Sequence, residues 1–140
     1  MKLLVAIDFS ELTEKIIAEA EKLARNLQAK VFLLHVVPPP SPIIDIPADE
    51  QALPFDHPES LKLIKIAQPL EESGIDTAVI VAQNEEVTAI IDESKKNGVD
   101  LIMLGSHGHG ALFHLIIGSV SEGVIRQATC PVIIVPSEKR

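Results

Sequence analysis

Residues 105–119, GSHGHGALFHLIIGS, have the types and spacing best suited to chemistry. Gly105, Gly108 and Gly110 fall within six residues, His107 and His109 sit between them, and Gly118 and Ser119 follow an apolar run. Glycine leaves backbone N–H groups open to an oxygen-rich ligand because no Cβ stands in the way. N–H groups at a turn or a helix N-terminus then face an anion, and the helix dipole adds to the attraction. Ser119 adds a hydroxyl donor. Three readings are open: a phosphate cradle, a metal site, or a flexible turn followed by a helix-packing glycine. The metal reading is weak, since no carboxylate or thiol joins His107, His109 and His114 at ligand spacing. A Walker loop would end in Gly-Lys-Ser/Thr, and a dinucleotide fingerprint would follow the first strand; this stretch does neither.

The elements that must position these residues are legible in the hydrophobic pattern. Residues 3–7 form an apolar run ending at Asp8, as expected of a strand buried on both faces. Ser10 can cap a helix in which Leu12, Ile16, Ile17, Ala20, Leu23, Ala24 and Leu27 recur at helical spacing. Residues 30–37 read as a second buried strand. Seven of the ten prolines then lie within residues 38–58, which implies a long surface excursion, neither ordinary helix nor central strand. A helix resumes over 59–73 with Gly74 as its stop, and Pro69 is expected to kink or shorten it. Further strands are expected at 77–82, 100–105 and 131–136, a helix at 87–96 ended by Asn97-Gly98, and another within 112–128. Strands that lack alternation and are separated by helices give an α/β fold: a doubly wound, open, five-stranded parallel sheet with helices on both faces, Rossmann-like in type. Such sheets bind ligands beyond the carboxyl ends of their strands, at the topological switch point, and the glycine stretch falls on that edge.

Composition sets outer limits. The 140 residues are expected to form a single domain, 46% hydrophobic and 23% charged, with an aliphatic core because the chain has four Phe and neither Trp nor Tyr. A net charge of −8 argues against nucleic-acid or anionic-membrane binding, both of which rely on basic patches. A small anionic ligand stays open, since backbone N–H groups can carry that charge locally. The single Cys130 excludes an intramolecular disulfide, suits a reducing compartment and reads as a small buried apolar residue. Five apolar residues near the start are too few for a signal segment or membrane span, so a cytoplasmic location is expected. His35 reads as a hydrogen-bonded core residue within its strand, and His57, among the prolines, as solvated.

Gly105-x-x-Gly108, nine further residues, then Gly118-Ser119 resembles the nucleotide-binding signature of the universal stress protein family. The segments VAIDFSE, VFLLHVV, GVDLIMLGSHG and GSVSEGVIRQATCPVIIV resemble family segments in family order, so the likeness spans nearly the whole chain. Within the family, this glycine pattern marks the members that bind ATP. The resemblance implies adenosine-end contacts from Asp8, with Phe9 beside it, and from Val36. Leu104, Gly105, His107, Gly108 and His109 would border the ribose and phosphates, and Gly118, Ser119, Val120 and Ser121 would close over the phosphate chain. A carboxylate at Asp8 can accept from a ribose hydroxyl or the adenine amino group, although Asp8 could also simply cap the first helix. ATP, with Mg2+ or Mn2+ bound through its phosphates, is the implied cofactor, and no catalytic or dedicated metal residue is expected.

Two departures from the family pattern stand out. Asn84 occupies a position where the family often has glycine; asparagine tolerates a left-handed backbone better than most residues. The family usually carries Lys or Arg at the positions of His109 and His114, whereas this chain has neither between Lys96 and Arg126. The leading reading is a cytoplasmic, ATP-binding stress-response protein acting as a nucleotide-dependent switch or sensor. A slow ATP hydrolase or nucleotidyl-transfer enzyme and a nucleotide-free interaction scaffold are the alternatives. A response-regulator receiver is excluded because it needs an acidic pair after the first strand and a late lysine. The last strand, bracketed by Pro131 and Pro136, is an edge candidate. The resemblance implies a homodimer through Val132, Ile133, Ile134 and Val135.

Overall fold

The computed structural model describes residues 1–41, 44, 46–106 and 117–137. Strands β1 (Lys2–Ala6), β2 (Lys30–Val37), β3 (Thr77–Gln83), β4 (Leu101–Gly105) and β5 (Val132–Val135) pair in parallel in the order β3-β2-β1-β4-β5. Helices α1 (Thr13–Leu27), α2 (Pro58–Glu72), α3 (Glu86–Lys96) and α4 (Ser119–Gln127) connect and cover them. This is the expected doubly wound α/β fold.

Successive strand residues point to opposite faces, and here both faces are packed. Leu3, Val5, Val31, Leu33 and Met103 join one buried cluster with Ile16 and Ala20 of α1 and Leu63 and Ala67 of α2. Leu4, Phe32, Leu34, Ile102 and Leu104 join a second with Ala89 and Ile90 of α3 and Val124 of α4. Two apolar faces explain why the strands read as continuous apolar runs. Leu27 departs from the expected helical stripe and is 38% exposed at the end of α1.

Four local expectations are corrected. Pro69 does not shorten α2, which runs through it to Glu72; Gly74 follows at φ +82° as the expected stop. A proline within the last turn costs one hydrogen bond there, while fully buried Leu63, Ala67 and Leu70 hold the helix against the sheet. His57 is not simply solvated: its Nδ1 accepts from Glu59 N (3.2 Å) and caps α2. Asn84 is not left-handed, because Phe9 and Gln28 are the positive-φ non-glycine residues described. Ser10 does not sit at the cap position of α1, yet its Oγ accepts from Leu12 N (3.3 Å) and its carbonyl from Thr13 N (3.0 Å), organising the turn before the helix.

The proline-rich excursion is more than a surface loop. After a 3-10 turn at Ala48–Glu50, Ala52 forms an antiparallel bridge with Ala82 on the outer edge of β3. Leu53 N donates to Val81 O, and Gln83 N donates to Gln51 O, each at 2.7 Å.

Candidate functional site

The strand order reverses between β1 and β4: the chain winds outward through β2 and β3, then crosses back to β4 and β5. A crevice is expected beyond the carboxyl ends of β1 and β4. Five of the sequence-derived site residues converge on one side of it. Val36 from β2, Leu104 from β4 and Val120 from α4 pack into the cluster on the α3 and α4 face, joined by Ala6, Ala82 and Val87. Gly105 ends β4, and Gly118 caps α4 at φ −78°, ψ 171°. The described part of this rim is therefore lined by aliphatic side chains.

Asp8 lies just past β1. Its Oδ1 accepts from Ser10 N at 2.9 Å, so the local turn-capping role is real. The next residue, Phe9, has φ 61°, a conformation few side-chain-bearing residues adopt. Its ring faces the opposite, α1 and α2 side of the sheet. There it stacks on His35 (centroids 4.0 Å apart) under Lys62 Nζ at 4.2 Å. Phe9 thus anchors the turn that carries Asp8. His35 is buried as expected; its Nδ1 lies 2.8 Å from Ile7 O, and because a carbonyl only accepts, Nδ1 carries the hydrogen. Its Nε2 faces Glu59 Oε2 at 3.5 Å.

The β4 end and the start of α4 are laced together. Gly118 N donates to Ser106 O (2.6 Å), Ser121 Oγ donates to Gly105 O (2.6 Å), and Ser106 N donates to Val135 O (2.9 Å). Ser121 is 2% exposed and its hydroxyl hydrogen is directed at the strand. It fixes the helix start, so donation to a phosphate there falls to backbone N–H groups and to the exposed Ser119 hydroxyl. Gly118 at the cap position has no side chain, and none among the described residues caps α4, so its first-turn N–H groups keep the character of an anion-binding helix N-terminus. His107, Gly108, His109 and His114 lie outside the described residues.

Sequence reasoning missed the acidic start of α3. Glu85 caps that helix: its carboxylate accepts from Val87 N (2.8 Å), Thr88 N (3.1 Å) and Thr88 Oγ1 (2.9 Å). Partial burial pushes its pKa up, but these hydrogen bonds outweigh burial and the net shift is downward. Glu86 is shifted upward, first by burial and then by the charges of Asp8 and Glu85. The charge of Asp8 thus reaches Glu86. Gly123 was also missed: a Cβ there would fall 2.8 Å from Val87 Cγ2, so α4 and α3 touch at this glycine. An isolated glycine inside a helical pattern was the available signal.

The sequence model of the universal stress protein family matches residues 1–136. The chain belongs to the universal stress protein family. It is 34% identical over 149 aligned residues to universal stress protein YxiE of Bacillus subtilis, covering 96% of this chain and 97% of the relative. The solved structure of protein MJ0577 of Methanocaldococcus jannaschii is similar with a TM-score of 0.79 and 28% identity, covering 99% of this chain and 97% of that one. A universal stress protein from Archaeoglobus fulgidus, solved in complex with dAMP, shares the fold with a TM-score of 0.66 and 20% identity, covering 96% of both chains. No helix among the described residues is long and apolar enough to cross a membrane.

Proposed function

We propose that this chain binds an adenine nucleotide, ATP by preference, in the crevice between β1 and β4, and serves as a nucleotide-dependent switch in the stress response. The observation that carries the reading is the pairing of an aliphatic rim with an uncapped helix N-terminus on one side of the sheet. Val36 and Val120, half-buried over buried Leu104, offer apolar surface of the kind a purine needs, and the first turn of α4 offers N–H groups to phosphates. In this reading Asp8 keeps one oxygen on Ser10 N and accepts a ribose hydroxyl or the adenine amino group with the other. The backbone at Val36 reads the base edge. Leu104, Gly105, His107, Gly108 and His109 border ribose and phosphates, and Gly118, Ser119, Val120 and Ser121 close over the phosphate chain. Mg2+ or Mn2+ would arrive on the phosphates. Among the described residues no group of three His, Cys, Asp or Glu could hold a metal by itself. The family relative in complex with dAMP supports the ligand class.

The same reading makes the protein a cytoplasmic homodimer paired through Val132, Ile133, Ile134 and Val135. β5 ends the sheet, whereas β3 at the other end is bridged by Ala52. Beside β5 runs a groove of about 440 Å³ lined by Leu23, Met103, Ile133 and Val135, with Lys15 Nζ donating to Pro136 O at its margin (2.6 Å). A second copy pairing on this edge would bury the groove. The deciding experiment is to denature the purified protein and identify any released nucleotide, followed by calorimetric titration with ATP, AMP and cyclic AMP. Absence of binding to all three would end the reading.

A further inference from the structure

We infer that residues 46–53 of the proline-rich excursion are a strap that positions the nucleotide site, and that Gln51 is its positioning residue. The inference rests on the nucleotide reading above. Gln51 belongs to a segment expected to lie on the surface, yet it is 0% exposed. Its Nε2 donates to Glu93 Oε2 of α3 at 2.6 Å, and its Oε1 accepts from Asn84 Nδ2 at 3.0 Å. Asn84, 4% exposed, also donates from Nδ2 to Ile46 O (3.1 Å) in the same segment. Glu93 is 1% exposed and faces Lys96 Nζ at 3.7 Å and Asn97 Nδ2 at 3.4 Å. A buried network of this kind is costly when any member is missing, because the remaining groups keep their desolvation without a partner.

Asn84 is where the network meets the site. Its N–H donates to Val37 O (3.1 Å), next to Val36, and its Oδ1 accepts from Glu85 N (2.8 Å), the cap of α3. From Glu85 the helix start carries Glu86, which senses Asp8, and Val87, which packs on Gly123 of α4. One side chain from the excursion thus sets the carboxyl end of β2 and the first turn of α3, and through Val87 the seat of α4. These are the walls of the crevice on the α3 and α4 face. A rim held by a complete supporting shell is preorganised for its ligand; one that has lost its support must be ordered at the expense of affinity.

Three variants test the assignment. Gln51→Leu removes both hydrogen bonds. Gln51→Glu sets two carboxylates against each other at the distance of the present amide contact. Gln51→Glu combined with Glu93→Gln exchanges the partners and keeps the contacts among residues 51, 84 and 93 donor to acceptor, since the new glutamate accepts from both Asn84 and the new glutamine. The partly exposed Lys96 ammonium loses its carboxylate and turns to water. ATP and adenosine are titrated by calorimetry, and amide exchange of residues 85–88 is followed without ligand. Gln51→Leu and Gln51→Glu should weaken ATP and adenosine alike by about tenfold, the scale of one buried hydrogen bond lost. Both should speed exchange at 85–88, and the exchanged pair should bring both readouts back toward wild type relative to either Gln51 variant. Gln51→Glu alone should recover as pH falls toward about 5, where one of two facing carboxylates holds a proton. Wild-type affinity in variants whose residues 46–53 exchange freely would overturn the assignment. If the wild type binds no nucleotide, the nucleotide reading falls. Unchanged exchange at 85–88 in all three variants would sink the strap by itself.

Discussion

Gly123 of α4 rests against Val87 of α3 so closely that a Cβ on the glycine would lie 2.8 Å from Val87 Cγ2 and 3.3 Å from Cγ1. Helix propensity alone favours Gly123→Ala by about 1 kcal/mol. Valine, however, is stiff at χ1 and cannot swing away, and overpacking of this sort costs about 1–3 kcal/mol. The packing term wins. Gly123→Ala is expected to lower stability by roughly 1 kcal/mol in urea unfolding, whereas the same change on a Val87→Ala background should raise it. The same sign in both backgrounds would mean that the contact does not constrain the helices.

Glu86 supplies a stability prediction with a definite pH window. Its folded pKa is raised above the ordinary 4.5 by burial, then by the charges of Asp8 and Glu85. Folding therefore favours the protonated form. That preference stabilises the fold below the unfolded pKa and is lost as pH rises through the folded value. At pH 7 the ionised carboxylate is a net cost, so Glu86→Gln should be more stable than wild type there. The difference should shrink as pH falls toward about 4.5. Asp8→Asn should lower the Glu86 pKa read by carboxyl carbon NMR; an unchanged titration would show that the two groups do not face one another.

Glu85 behaves in the opposite sense. Burial raises its pKa, but hydrogen bonds from Val87 N, Thr88 Oγ1 and Thr88 N outweigh it and the folded value is lowered. Its contribution is present above the unfolded pKa and lost as pH falls through the folded one. Glu85→Ala is expected to cost about 1 kcal/mol at pH 7, as for other lost helix caps, and less in acid. A cost independent of pH between 7 and 3 would remove the carboxylate from the capping role.

How much of this was legible in the sequence depended on the range of the interactions. Strands β1, β2, β3, β4 and β5 could be read because both of their faces are buried, and Gly74 could be read as a stop because its φ of +82° suits glycine. The switch-point edge followed from strand order, which brought Val36, Leu104, Gly105, Gly118 and Val120 together. Gln51 could not be read: its partner Glu93 is 42 residues away, and nothing nearby marks a glutamine among prolines as buried. Phe9 carries a positive φ that its residue type does not signal, and its ring packs on the α1 and α2 face. Glu86 lay outside the helix expected at 87–96, and its proximity to the charge of Asp8 follows only from the fold.

The chain has neither Lys nor Arg between Lys96 and Arg126. In the proposed site, phosphate charge is met by N–H groups and, where they approach it, by His107 and His109. The reference pKa of histidine is about 6.5, so without ligand such groups are mostly neutral at pH 7.5. A bound triphosphate favours the charged form, and by linkage ATP affinity should strengthen as pH falls from about 8 to about 6. Adenosine lacks phosphates, so its affinity should stay level across the same window. Calorimetric titration of both ligands, on wild type and on His107→Asn with His109→Asn, separates the contributions. A level ATP profile in wild type, or the same slope in the double variant, would leave phosphate recognition to the backbone alone. Gly108→Val extends the test to that backbone: a branched side chain in the phosphate path should abolish ATP binding at every pH while adenosine still binds. Equal ATP binding by Gly108→Val and wild type would reduce the glycine stretch to a turn.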